Sequence, residues 1–220
     1  MSVQIGTAIV SYIEPHPGQA LEFNRWYERD HFPATVTGGP GVFAGARFVA
    51  TRACKELRPA GGRLFGDPAR GSYLAVAWVL PGKQAEWDAW VGREMETLTA
   101  EGRLFAGRDH VHTAVYRCVW QAAASIVALD CGFAGAVVVA DEPALESSDD
   151  AFGSLSHAVG LRLERTIISG ADPAPHDLVV GFCGDPLARF ADVAEQVAGR
   201  GFASPFLATM PGTDAYTDDL

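Results

Sequence analysis

Hydrophobic periodicity along this chain runs strand, helix, strand, strand, helix, strand, and then passes through the same order again. That doubled order limits the fold more than any single motif does. In the first pass, residues 5–13 are rich in β-branched side chains and read as a strand, stopped by Glu14-Pro15-His16-Pro17-Gly18. Residues 18–31 read as a helix that Pro33 ends, because proline lacks the N–H that would continue the ladder. Strands are predicted over 42–53 and 72–80, separated by a Gly- and Pro-rich loop over 55–71. A helix over 83–100 and a strand over 109–120 complete the pass. The second pass places strands at 135–140, 160–169, 177–183 and 202–209, and helices at 144–157 and 187–199. The expected organisation is a half over 1–121, a packed apolar connector over 122–134, and a degenerate half over 135–220.

The strand Tyr73-Leu74-Ala75-Val76-Ala77-Trp78-Val79 is apolar at both alternate sets of positions. Successive side chains point to opposite faces of a strand, so both faces of its sheet must be covered. Helices within the same βαββαβ half cover one face. The other face is covered most economically by the sheet of the second half. The prediction is therefore an α+β fold of two ferredoxin-like halves whose antiparallel sheets pack as an intrachain barrel. Such pairing leaves no large apolar face for assembly, so a monomer or a small homo-oligomer is expected.

Of 220 residues, 48% are hydrophobic and 20% charged, which suffices for a substantial core. The formal net charge of −10 argues against nucleic acid or an anionic membrane surface as partner, since both require a basic stripe. The first twelve residues carry no Lys or Arg ahead of their apolar run, and no apolar stretch approaches ~20 residues. These features predict a cytoplasmic protein without a secretory leader or a membrane span. Cys54, Cys118, Cys131 and Cys183 form no CxxC spacing and are expected as reduced thiols.

Residues 22–33, Glu-Phe-Asn-Arg-Trp-Tyr-Glu-Arg-Asp-His-Phe-Pro, are followed by Pro40-Gly41 and Gly45-Ala46-Arg47. This block resembles the EthD-like group of the dimeric α+β barrel superfamily, with its FNxWYxxxHxP helix, PG turn and strand arginine. The resemblance covers residues 1–120 in element order, while the second half resembles the superfamily only in that order, as tandem members do. It implies a pocket between the helices and the sheet. It does not imply one reaction: the superfamily includes cofactor-free monooxygenases, polyketide cyclases, lactone isomerases, haem proteins and proteins of no known activity.

At 100° per residue, Asn24, Tyr27 and His31 share the inward stripe of the first helix with Ala20 and Phe23. Two readings are open. These polar groups either form a satisfied hydrogen-bond cluster that anchors the helix end, or they line a pocket with His31 as acid, base or ligand. Arg47 alternates with apolar residues on its strand and matches the family's strand arginine, so it either snorkels or faces the pocket. His110-Val111-His112 places two imidazoles at i and i+2, on one face of the strand, as a metal pair that His31 could complete or as pocket lining. Glu94 interrupts the apolar stripe of the second helix and either pairs with Arg47 or His31 or sits at the solvent margin. The candidate set is His31, Tyr27 and Arg47 for catalysis, with Asn24, Trp26, Trp78, Glu94 and His112 for substrate binding. The loop over 55–71 lacks GxxxxGK[ST] and reads as a hairpin insertion, with a lid as the alternative. The acidic run at 141–150 reads as solvated, and His157 and His176 receive no role.

Three functions fit these residues. The preferred one is an enzyme acting on an apolar, aromatic or polyketide-like small molecule by cyclisation, isomerisation or cofactor-free oxygenation, with His31 moving the proton and with no cofactor or metal. The others are a haem- or metal-binding barrel and a non-catalytic small-molecule-binding or stress-type barrel.

Overall fold

The computed structural model describes residues 3–59, 67–122, 133–141, 157–169, 177–197 and 202–220. The expected connector, the tip of the 55–71 loop, the first helix of the second half, the acidic run beyond Asp141, Cys131 and His176 fall largely or wholly outside them. The strands are β1 (Thr7–Pro15), β2 (Val42–Val49), β3 (Tyr73–Val79), β4 (Arg108–Gln121), β5 (Gly135–Asp141), β6 (Ala158–Ser169), β7 (Asp177–Cys183) and β8 (Phe202–Ala208). The helices are α1 (Ala20–Trp26), α2 (Arg52–Glu56), α3 (Gln84–Ala100) and α4 (Pro186–Val197).

The eight strands close into one antiparallel barrel in the order β1-β3-β2-β8-β5-β7-β6-β4. Read as two halves, this is β4-β1-β3-β2 followed by β8-β5-β7-β6, the same permutation twice. The α+β barrel expected from the sequence is thus present, and its two sheets are joined edge to edge by hydrogen bonds. One seam is short, with Phe48 opposite Ala208 and Val49 opposite Leu207. The other is long and irregular, running from His112 opposite Ser169 to Gln121 opposite Val159. Closure removes the exposed sheet edges that an open eight-stranded sheet would present.

The two-sided strand explains itself in this geometry. Leu74, Val76 and Trp78 point into the barrel, where they join Tyr12, Tyr116, Phe182 and Phe206 in the largest apolar cluster. Tyr73 and Ala75 point outward under Phe23 and Tyr27. Ala77 and Val79 point outward under Trp87 of α3. On the second half, Phe190 of α4 packs on Val137, Val139, Val179 and Ala203. Each large side chain so buried stabilises the fold by roughly 1.5–3 kcal/mol.

Two local expectations are corrected. Pro33 does not end the first helix: α1 continues through two π-helical turns, Tyr27–His31 and Pro33–Thr37. Phe32 N–H donates to the Tyr27 carbonyl and Gly38 N–H to the Pro33 carbonyl, each five residues back. The wider turn accommodates a residue that has no N–H to offer an i→i−4 ladder. The second strand stops at Val49 and gives way to α2, begun from the extended Thr51. Residues 209–220, which carry no periodicity, fold back over the first half. There Arg52 N–H donates to the Asp219 carbonyl at 2.7 Å and Gly212 N–H to Glu28 Oε1 at 2.8 Å. Cys54, Cys118 and Cys183 are free thiols, and no helix among the described residues is long and apolar enough to cross a membrane.

Candidate functional site

The outer face of the first half does not close completely under its helices. The first π turn, α3, the outward residues of β1 and β4, and β6 of the second half border a cavity of ≈ 400 Å³ that is open to solvent on one side. Ile9, Val36, Trp87, Val91 and Met95 give it an apolar wall. Ile167 and Ile168 line it from β6 and are 41% and 43% exposed. Polar groups enter from Tyr27, His31, Arg108 and His110.

His31 is 8% exposed, and neither ring nitrogen has a hydrogen-bond partner among the described residues; Nδ1 is fully buried. Its ring stacks on Trp26, centroids 4.5 Å apart and planes within 22°. Burial, reinforced by the charges of Arg108 and His110, pushes its pKa down to about 3, so the imidazole is neutral. The π turn contributes to its placement, because the backbone carbonyl of His31 is held by Thr35 Oγ1 at 2.8 Å. Tyr27 lies one turn earlier, its ring centroid 5.2 Å from that of His31. Burial raises its phenol to about 12, which keeps it a neutral donor.

Arg108 is missing from the sequence-derived set. It opens β4, with its guanidinium carbon 4.5 Å from the Trp26 ring centroid. Its Nε donates to His110 Nε2 at 3.3 Å, which leaves the His110 proton on Nδ1, beside Thr113 Oγ1 at 3.0 Å. Burial, with Arg108 next, lowers His110 to about 4. The i, i+2 spacing of Arg108 and His110 is the signal that could have found this pair. Asp88 and Arg165, also outside the expected set, form an ion pair that ties α3 to β6 at the cavity.

The other expected residues lie elsewhere. Asn24 and Arg47 do not line the cavity. Arg47 Nη2 donates to Asn24 Oδ1 at 3.0 Å, and Tyr216 Oη donates to the same oxygen at 3.0 Å. Asn24 Nδ2 donates to Asp214 Oδ1 at 2.9 Å. The Arg47 guanidinium carbon is 4.8 Å from the Tyr27 ring centroid and 5.6 Å from that of Tyr73. Asn24 and Arg47 therefore form the satisfied cluster, closed by the C-terminal segment, while Tyr27 and His31 face open space. Trp26 supports His31 and Arg108 from outside the cavity lining, and its indole N–H donates to the Arg103 carbonyl at 2.7 Å.

Trp78 and His112 point into the barrel, on the far side of the sheet from the cavity. His112 Nε2 bonds to Tyr116 Oη at 2.9 Å. Glu94 makes no hydrogen bond or ion pair among the described residues and sits at the margin of α3. A second hollow of ≈ 550 Å³ lies where β1 meets α1, lined by Glu14, His16, Arg70 and Asp109, away from His31.

No protein-family model matches this chain, and no curated protein matches it. Its EthD-like block is therefore a resemblance of residues 22–47. Among solved structures, the chain overlays on one described as an anthrone oxidase-like protein, with a TM-score of 0.49 and 8% identity over 94% of this chain and 92% of that one. A likeness at that level carries no chemistry with it.

Proposed function

We propose that the outer cavity of the first half binds a small, largely apolar molecule carrying a carbonyl or hydroxyl, and that His31 moves a proton on it. The observation that carries this reading is the unpaired, neutral imidazole of His31 in the wall of the cavity. An imidazole always has one N–H to donate, and leaving it unpaired in the interior costs about 1–3 kcal/mol. Nδ1 is closed off from the cavity, so a polar ligand atom there pairs with Nε2, the ring nitrogen that is not fully buried. The volume of ≈ 400 Å³ suits a molecule of one to three fused rings.

In the step common to cyclisation, isomerisation and cofactor-free oxygenation, a C–H or O–H next to a carbonyl is broken. The proton goes to His31; the electron pair of a broken C–H moves onto the carbonyl oxygen as an enolate, and that of a broken phenolic O–H stays on its own oxygen as a phenolate. Tyr27 Oη donates a hydrogen bond to that oxygen. The imidazolium and the oxyanion form together, so the depressed basicity of the empty site is offset by the charge created beside it. Arg47 acts through Tyr27, by fixing its ring from behind.

The test compares wild type with His31→Ala and His31→Gln in a thermal-shift screen of aromatic ketones and phenols, with product analysis of the hits. Both variants are expected to melt within a few degrees of wild type and to lose turnover, with the glutamine retaining binding. A clear drop in melting temperature with ligand binding and turnover unaltered overturns the proposal.

A further inference from the structure

Building on this reading of the cavity, we propose that its ligand is an organic anion, with an acidic oxygen such as a carboxylate, phenolate or enolate, and that Arg108 holds that oxygen.

The chain is acidic, with 27 Asp and Glu against 17 Lys and Arg, so a cation with no carboxylate partner is conspicuous. Arg165, the other cation at the cavity, is neutralised by Asp88, whose second oxygen takes the Gln84 amide at 2.8 Å. Arg108 makes no ion pair among the described residues, yet burial lowers its pKa, so the charge is held in a partly dry site without compensation. Its orientation is nevertheless fixed. One face of the guanidinium lies on Trp26, and Nε is committed to His110 Nε2. His110 is itself oriented by Thr113. This leaves both terminal nitrogens without a partner among the described residues, and the pair forms the edge that binds a carboxylate through two parallel hydrogen bonds.

Arg47 is buried more deeply than the half-buried Arg108 and is less available. Its terminal nitrogen is taken by Asn24 and it does not line the cavity. Asp88 is the one carboxylate lining the cavity among the described residues and is already engaged twice. With His31 and His110 neutral, Arg108 is the uncompensated charge of the site. Ile9, Val91 and Met95 line the same cavity and fit an apolar body. Together these features select a molecule with one acidic end and a flat apolar remainder.

Two matched probes separate this inference from the reading on which it rests: 2-naphthoate and its methyl ester, which share the ring but not the charge. Binding is followed by titration calorimetry at pH 7.5, with the fold of each variant checked by circular dichroism. Wild type is expected to bind the naphthoate at least tenfold more tightly than the ester. In Arg108→Gln that preference is expected to vanish while the ester still binds. In Arg108→Lys part of it returns, because a lysine restores the charge but not the two-pronged geometry. Equal binding of the two probes to wild type, or an unchanged preference in Arg108→Gln, overturns the anion proposal and leaves the cavity reading standing. If neither probe binds wild type, both fail. Should Arg108→Gln not fold, the probe preference of wild type and of Arg108→Lys decides the matter.

Discussion

His110 and His112 stand on opposite faces of the barrel wall, although only Val111 separates them. Along β1 the paired residues advance by one, from Tyr12 opposite His112 to Ile13 opposite His110, while β4 advances by two. Val111 is the extra residue of a β-bulge, and the bulge cancels the alternation that would have put both imidazoles on one side. The two histidines therefore cannot chelate one metal ion together. Zinc titration is expected to give the same binding for wild type and His110→Ala. His112→Ala should lower stability by ~1–3 kcal/mol, since it removes a buried ring and its 2.9 Å hydrogen bond to the Tyr116 hydroxyl from the barrel interior, and should leave cavity ligands unaffected. A tight zinc site lost in both single variants would count against this geometry.

Arg47 gives a prediction of the opposite kind from His31. Its guanidinium packs between Tyr27 and Tyr73 and bonds to Asn24, away from the cavity. Arg47→Met keeps much of the volume but removes the cation from two ring faces and one hydrogen bond from Asn24. A loss of about 1–3 kcal/mol in chemical denaturation is expected, with probe affinity within twofold of wild type. Abolished ligand binding in a variant that melts like wild type would reverse the assignment and return Arg47 to the site.

Comparison of these residues shows where sequence reasoning reaches and where it stops. Period-two and period-3.6 patterns report which residues face an interior, so the strands along the chain, the α+β barrel and the polar stripe of Asn24, Tyr27 and His31 were legible. Periodicity does not report what covers that stripe. Asn24 and Tyr27 part company because residues 209–220 return across α1 and satisfy one of them. That return depends on tertiary contacts made by a segment with no repeat of its own. The bulge at Val111 and the π turns around Pro33 are likewise one-residue departures from a regular period. Regular-period reasoning misses these departures, and both of them position groups of the cavity.

Two glycines beside the cavity should respond to alanine with opposite signs. A Cβ on Gly39 would lie 2.5 Å from Trp87 Cδ1 and 2.9 Å from Trp90 Cε3. Trp87 is 4% exposed and forms part of the cavity wall, so it must shift. Gly39→Ala is expected to cost about 1–3 kcal/mol and to weaken probe binding. Gly92 lies within α3, and a Cβ there meets nothing within 4 Å. Gly92→Ala should instead add up to ~1 kcal/mol through helix propensity alone. Thermal melts of the two variants check both signs, and a stabilised Gly39→Ala would show that Trp87 is not held where the cavity requires it.

The last prediction concerns acid. His31 is pushed down to about 3, mainly by burial and then by Arg108 and His110, with Asp30 opposing. His110 is lowered to about 4 by burial and Arg108, with Asp109 opposing, and His112 to about 4 by burial. Unfolded histidines titrate near 6.5, so above that pH neither state is protonated and the three groups leave stability unchanged. Below it the unfolded chain takes up protons that the folded chain refuses, and stability falls. The loss accumulates from pH ~6.5 down to about 4 for His110 and His112, and on to about 3 for His31. Each group contributes at most ~1.4 kcal/mol per pH unit, so the three together approach ~4 kcal/mol per unit near pH 5. Urea denaturation at pH 7.5, 6.0 and 5.0 should trace this slope, and His112→Phe should reduce it by roughly a third whatever it does to stability at pH 7.5. Stability that stays flat between pH 7.5 and 5.0 would mean that these imidazoles take up protons in the folded protein, and the neutral His31 on which the proposed proton transfer depends would be lost with it.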